Sequence, residues 1–458
     1  MLDMDQFCES GPAGEKQDPH EVLEFIRQKK HVVIWGASYL GHSVGSFLQA
    51  QGISIDQFWD IRAEEIGTCL GVPVQLAFSG TFPEQETLVI YCISDGHVQG
   101  WLLKELANRG YLTPLSGWHL FMGAICPFNT TDAAIDIGHC LQSHGCNHIF
   151  CPRLSNVFFS SRAKAVAPPE DPINLYTATL IVNQSCNLSC KYCSSYMNAY
   201  EKGQRVHFKA EHISRDIHNF VKAVDAIGSL TVMGGETFLH PDLPKILRDL
   251  VGIENIGAIS IATNGTVPIP EAGLDAYVHP RVLVNLSNYT KALPENQQRI
   301  FEANQRLFDK HGINYRVDTT GKYWVMPSTL YDLGMSDAEK AARKDSCLAP
   351  LSCMQIKNGK LHPCDFGNAV TSLGLSSDPS NVVDLTDADI TRLRGSIRAY
   401  MDLPFHEVCG RCRDDIYSFG SDVDGIAGEQ GKLDFVTPPP EPFRRGHRPG
   451  KPTPPVRS

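Results

Sequence analysis

The sequence predicts an α/β protein with more than one domain, on three observations. A chain of 458 residues exceeds what one ordinary hydrophobic core organises, so two or three domains are expected. From 173 to about 325, apolar β-branched runs alternate with stretches of helical period, which is the pattern of a parallel α/β architecture. Nearer the N-terminus, a strand, a glycine turn, a helix and a second strand follow in the order of a dinucleotide-type βαβ unit.

Composition narrows the class. Hydrophobic residues at 42% and charged residues at 20% describe a globular protein. A formal charge of −10 argues against a nucleic-acid surface, which needs clustered Lys and Arg. There is no run of eighteen apolar residues, and the start Met1-Leu2-Asp3-Met4-Asp5 is acidic where a signal peptide is basic, so no membrane association and a cytoplasmic location are expected. In a reducing cytosol, 15 cysteines point to metal or redox chemistry before disulfides.

The first helix is expected around Glu21–Ile26 and the first strand at His31–Trp35. The strand runs into Gly36-Ala37-Ser38-Tyr39-Leu40-Gly41, a helix through Ser46–Leu48 and a second strand ending at Asp60, where a ribose-binding acid sits in dinucleotide folds. Ser38 occupies the place of the middle glycine of GxGxxG, and its Cβ impedes a pyrophosphate. A Rossmann-like scaffold or docking domain over 1–130 is the expectation, with nucleotide binding as the alternative. Residues 131–172 read as a connector and proline-rich linker. Its stretch from His139 to Cys151 matches no metal-site spacing and reads as structural.

Strands are then suggested at 176–182, 229–234, 258–263, 282–287 and 313–318. Ile213, Ile217, Phe220, Val221, Val224 and Ile227 fall on one helical face. Ile300, Phe301, Asn304, Leu307, Phe308 and His311 fall on another. Just past the first of these strands, Cys186-Asn187-Leu188-Ser189-Cys190-Lys191-Tyr192-Cys193 places three thiols on one strand-to-helix loop with spacing C-x3-C-x2-C. Chance supplies roughly 0.016 such matches at this cysteine content. Three thiolates suit a [4Fe-4S] cluster with one iron left open, whereas zinc more often takes a fourth protein ligand nearby.

The cysteine loop, the segment Met233-Gly234-Gly235-Glu236 and the segment Thr263-Asn264-Gly265 lie in this order, each at a strand end. Together they resemble the cysteine, GGE and TNG motifs of the radical S-adenosylmethionine (SAM) superfamily. The resemblance implies a partial (β/α)6 barrel over 173–330. It implies that Cys186, Cys190 and Cys193 hold a [4Fe-4S] cluster whose open iron chelates SAM. Gly234, Gly235 and Glu236 would hold the methionyl amino group, and Tyr192 would lie by the adenine. Thr263, Asn264 and Ser287 are candidates for the ribose and carboxylate, with loop capping as the competing role. Asn288, Tyr289, Arg316, Asp318 and Trp324 follow the fourth and fifth strands and are candidates to face a substrate, with packing or surface as the alternative. His240 reads as structural.

A second cysteine set, Cys347, Cys353, Cys364, Cys409 and Cys412, surrounds a hairpin with its turn at Asn358-Gly359. This region, 331–435, looks like a twitch domain, the shortened SPASM extension. The likeness implies an auxiliary [4Fe-4S] cluster on Cys347, Cys364, Cys409 and Cys412, with structural zinc as the competitor. The tail over 436–458 is proline-rich and is expected to be disordered.

The implied activity is reductive cleavage of SAM to a 5′-deoxyadenosyl radical, fed by a flavodoxin or ferredoxin-type reductant. Hydrogen is then taken from a small sugar, cyclitol or nucleotide-linked substrate. Oxidation and epimerisation both remain open, and Cys353 is a candidate hydrogen donor for the second. Maturation of a ribosomal peptide is an alternative, as is a two-cluster redox or scaffold protein that never cleaves SAM.

Overall fold

The computed structural model describes residues 19–126, 158–412 and 424–431, apart from 38, 80–81, 94–95, 112, 160–161, 164, 167–168, 319–322, 326–329, 346 and 348–353. Ser38, the Cys/His stretch over 139–151, Cys353 and the tail over 436–458 lie outside the described residues. The chain divides into two compact units, Met1–Ala134 and Ile135–Ser458.

In the first unit, strands β1 (His31–Trp35), β2 (Gln57–Trp59), β4 (Val72–Gln75), β5 (Thr87–Tyr91) and β6 (Leu115–Ser116) pair in parallel, in the order β4-β2-β1-β5-β6. The short β3 (Thr68–Cys69) closes the β4 edge antiparallel. This is the third-second-first-fourth-fifth order of a doubly wound sheet, and Val33 and Val89 on one face pack in a single core with Leu102 and Leu106 of the helix Gly96–Asn108. The glycine turn serves internal packing. Gly36 has φ +114°, and a Cβ there would meet the Cys92 carbonyl oxygen at 2.6 Å. Asp60 is buried and accepts from the Ala37 N–H at 2.9 Å and from the Arg62 guanidinium, so the acid at the ribose position ties down the turn.

The second unit is built on an eight-stranded sheet, ordered β11-β10-β9-β8-β7-β13-β14-β15. Strands β7 (Asn174–Ile181), β8 (Ala226–Met233), β9 (Ile256–Thr263), β10 (Val282–Ser287) and β11 (Tyr315–Asp318) run parallel in chain order. Five expected barrel strands are thus in place. A sixth parallel strand, β13 (Gln355–Lys357), lies beside β7 rather than beyond β11. With β14 (Lys360–His362) it forms the hairpin expected from Asn358-Gly359, whose φ values of 45° and 80° suit a two-residue turn. The edge strand is β15 (Val383–Asp384). Strands from both sides of the expected boundary at 330/331 thus share one sheet.

Side chains alternate along these strands. Leu180, Leu230, Val232, Ile259, Ile261, Val284 and Leu286 pack against helices α1 (Ala210–Ala223), α2 (Leu243–Val251) and α3 (Glu295–His311) in one core. Each such side chain contributes roughly 1.5–3 kcal/mol by leaving water. The opposite side carries Thr179, Thr231 and Ser260 in register, followed by Asn285 and Arg316. Helix α1 buries Ile213, Ile217, Phe220 and Val221 as expected. It stops at Ala223, so Val224 is its cap and Ile227 belongs to β8. The cause is Asp225, whose carboxylate accepts from the Ile173 N–H at 2.6 Å and from Arg394, turning the chain into the sheet. Among the described residues, no helix is long and apolar enough to cross a membrane.

Candidate active site

The three motifs meet at the C-terminal ends of β7, β8 and β9. Asn183, fully buried just past β7, fastens the first two. Its amide donates to the Glu236 carbonyl at 2.8 Å, and its Oδ1 accepts from the N–H groups of Ser185 (3.1 Å) and Gly235 (3.3 Å). Glu236 N–H donates to the Ser185 carbonyl at 2.7 Å. The glycines are required by this contact: a Cβ on Gly235 would meet the Ser185 oxygen at 2.3 Å, and one on Gly234 would meet Asn183 Oδ1 at 2.6 Å.

Glu236 joins the second motif to the third. Its Oε1 accepts from Thr263 Oγ1 (2.6 Å) and the Phe238 N–H (2.9 Å), and its Oε2 from the Asn264 N–H (2.7 Å). A carboxylate offers about four lone-pair sites, so about one remains for an incoming donor. Burial raises the Glu236 pKa, and these hydrogen bonds oppose the shift. Asn264 reaches back to the cysteine loop, donating to Asn187 Oδ1 at 2.9 Å and approaching Cys186 Sγ at 3.9 Å. Asn304 on α3 holds the turn from beneath through the Gly265 and Val267 carbonyls.

Cys186, Cys190 and Cys193 cluster with Leu188, Leu293 and Tyr289. Burial raises all three thiols, Cys186 to about 12 and Cys190 to about 11. Donors aim at the sulfurs: the Leu188 N–H reaches Cys186 Sγ at 3.4 Å, and the Gln430 amide reaches Cys190 Sγ at 3.4 Å. A three-sulfur set with N–H donors fits a [4Fe-4S] cluster held on three irons. Among the described residues, no three His, Cys, Asp or Glu side chains converge on one metal-ion position. Cluster ligands bind different irons and need no such convergence.

The second set comes together around Cys364, the N-cap of α5 (Asp365–Ser372), which follows α4 (Asp337–Asp345). Burial raises the Cys364 thiol well above its ordinary range, and the charges of Cys412, Cys347 and Cys409 add to the rise. Asp365 follows Cys364 in the chain. Burial pushes its carboxyl up to about 7, and its charge is felt at Cys193 and at Tyr200.

The remaining expected residues divide. Tyr192 is buried with Tyr196, Ala369, Val370 and Val408, against the side that carries Cys364. Asn288 caps its own turn through the Thr290 N–H and hydroxyl, and Tyr289 packs on the cysteine loop. Arg316 donates to Asn285 Oδ1 at 2.7 Å on the polar side of the sheet. Ser287 closes β10, half-buried, in register with Asp318. The side chains of Asp318 and Trp324 lie outside the described residues. His240 is structural as expected, its ring bonded to the Phe208 carbonyl and the Asp242 N–H. Sequence reading missed Asn183, Asp365, Lys357 and Gln430. Only Asn183 and Asp365 carried a signal, as polar residues beside motif positions.

Residues 180–318 match the family model described as the radical SAM superfamily. The chain is 29% identical over 178 residues to a probable GTP 3′,8-cyclase of Methanococcus aeolicus, covering 36% of this chain and 54% of that protein. It is 32% identical over 103 residues to GTP 3′,8-cyclase of Lactiplantibacillus plantarum, covering 21% and 30%. The chain thus spans about half the length, or less, of these curated relatives. Among solved structures, BtrN in complex with AdoMet and 2-DOIA shares 13% identity at a TM-score of 0.34, over 52% of this chain and 92% of that one. Native anSMEcpe with bound AdoMet shares 14% at 0.33, over 57% and 94%.

Proposed function

The chain carries a radical SAM domain over residues 180–318, and on that premise we propose that it removes hydrogen from a sugar, cyclitol or nucleotide-linked small molecule, leading to oxidation or epimerisation. A radical SAM domain uses a [4Fe-4S] cluster and SAM; when bound, these supply methionine and a 5′-deoxyadenosyl radical from one reductant-derived electron. The observation that carries the reading is the interlocking of three loops, in which Asn183 and Glu236 bind the GGE and TNG segments to the turn that bears the cysteines.

Cys186, Cys190 and Cys193 are the residues that would hold the [4Fe-4S] cluster, and a cluster held by three cysteines would have room to bind the amino and carboxylate groups of SAM. Gly234 and Gly235 present backbone without side chains, and the spare lone pair of Glu236 accepts from the amino group. Thr263 and Asn264 act chiefly by holding Glu236 and the cysteine loop. On the polar side of the sheet, Arg316, Asn285, Ser260 and Thr231 offer a cation, an amide and hydroxyls to an oxygen-rich substrate. As the base that takes the proton released when a carbinol is oxidised we assign Asp365, which follows Cys364 in the chain. Cys347, Cys364, Cys409 and Cys412 are the residues that would hold an auxiliary [4Fe-4S] cluster. Cys353, next to this set in sequence, keeps its proposed role as hydrogen donor in an epimerisation. The external reductant is of flavodoxin or ferredoxin type.

The relatives named GTP 3′,8-cyclase act by name on a guanine nucleotide, which favours the nucleotide-linked member of the substrate class. The test is anaerobic reconstitution with dithionite and SAM, scoring 5′-deoxyadenosine release with nucleotides including GTP, sugars, cyclitols and peptides. Acceleration by a nucleotide or sugar supports the reading, and acceleration by peptides alone overturns the substrate class. Product formation in D₂O separates the reactions: deuterium at carbon marks epimerisation, and a ketone marks oxidation.

A further inference from the structure

Residues 429–431 lie against the cysteine loop, though Gln430 and Ser189 stand 241 positions apart in the chain. Strand β16 (Asp424–Ile426) pairs antiparallel with β12 (Tyr323–Val325), with Tyr323 opposite Ile426. At Gly428, φ is +80°, and a Cβ would meet Tyr289 Cβ at 2.5 Å, so the segment passes Tyr289 at a distance that glycine permits. It then runs beside the loop in a short antiparallel ladder. The Lys191 N–H donates to the Glu429 carbonyl at 2.6 Å, and the Gly431 N–H donates to the Ser189 carbonyl at 2.9 Å. Lys191 Nζ lies 3.4 Å from the Glu429 carboxylate.

Within this ladder Gln430 uses both ends of its amide. Its Oε1 accepts the Ser189 N–H at 2.7 Å. Its Nε2 reaches Cys190 Sγ at 3.4 Å and the Gly428 carbonyl at 2.6 Å. We propose that residues 424–431 are a strap over the C-x3-C-x2-C loop, and that Gln430 is a positioning residue that fixes the loop and tunes the cluster on Cys190 by an N–H···S hydrogen bond. A donor to a ligand sulfur favours the reduced, more negative cluster, so it raises the reduction potential. Glutamine suits this because one planar amide supplies the acceptor for the loop N–H and the donor for the sulfur. Leucine keeps the bulk and loses both bonds, and glutamate keeps the acceptor and loses the donor.

The tuning half of the inference rests on reading Cys190 as a cluster ligand; the strap half does not. The full chain is therefore measured twice, as wild type, Gln430→Leu and Gln430→Glu. In iron-free protein, alkylation by a maleimide is followed at each cysteine by peptide mass spectrometry. The strap predicts that Gln430→Leu labels Cys190 several-fold faster while Cys364 and Cys409 label at the wild-type rate. In reconstituted protein, an EPR-monitored redox titration follows the SAM-responsive cluster. Both variants are expected to shift to lower potential, with Gln430→Glu at least as low as Gln430→Leu. Unchanged labelling of Cys190 in Gln430→Leu overturns the strap, and unchanged potentials in both variants overturn the tuning. If wild-type protein binds no iron on Cys186, Cys190 and Cys193, the functional reading fails and the tuning fails with it, while the labelling still decides the strap.

Discussion

Asn183 divides its amide between the strand end that precedes the cysteines and the Gly234-Gly235-Glu236 turn, so its effect on the site is larger than its size. Replacing it with Ala strands the Ser185 and Gly235 N–H groups and the Glu236 carbonyl, at a cost of about 2–4 kcal/mol. A chemical melt of Asn183→Ala against wild type reads this. Gly235→Ala forces a Cβ against the Ser185 oxygen at 2.3 Å and is expected to abolish SAM-dependent 5′-deoxyadenosine release while the second unit stays folded by circular dichroism. The cysteines and glycines of this site were legible in the sequence, since their spacing is local. Their partners were less so. The sequence points Glu236 at the ligand and leaves Asn264 open between ligand contact and loop capping, and in the structure most of their bonding capacity goes to the neighbouring loops.

The β13–β14 hairpin shows how an element can be recognised and still be misplaced. Asn358-Gly359 announces its turn, but nothing local announces that Ile356 pairs with Leu180, far back in the chain, and extends the barrel sheet. Helix boundaries failed for a similar reason: the α1 periodicity runs on to Ile227, and the tertiary bond between Asp225 and Ile173 ends it earlier. The hairpin also buries Lys357, which donates to Asn368 Oδ1 at 2.9 Å and Ser372 Oγ at 2.7 Å on α5. Burial lowers its ammonium from 10.5 to about 7. Between those two values the unfolded chain holds a proton that the folded chain has released, so stability rises as pH increases across that window. Below it, the cost of burying the charge is constant. Lys357→Met removes the slope. Denaturant melts of the iron-free proteins are expected to show the stability difference between wild type and variant changing by ~2–4 kcal/mol from pH 7 to pH 10.

Two compact units make up the chain, each with its own mixed, mainly parallel sheet, and in the second the chain returns twice to the barrel it has already built. The hairpin joins β7, and residues 424–431 join the cysteine loop. Helix α6 (Ile390–Met401) also reaches back, through Arg394 and Arg398, to Asp171. The two cysteine sets thus belong to one folded unit. Cys409→Ala is accordingly expected to lose about four of about eight irons and all product, and to retain SAM cleavage. Iron quantitation alongside 5′-deoxyadenosine and product assays checks this. Asp365→Asn should likewise keep SAM cleavage and lower product formation by at least tenfold, about 1.4 kcal/mol in barrier. Most directly, EPR spectra of the anaerobically reduced protein can be recorded with and without SAM, in wild type and in Cys190→Ala. SAM is expected to change the signal of one cluster in wild type, and that SAM-sensitive signal should be missing from the variant. A wild-type spectrum that SAM leaves unchanged, or a SAM-sensitive signal that survives in Cys190→Ala, would contradict an open iron held by Cys186, Cys190 and Cys193.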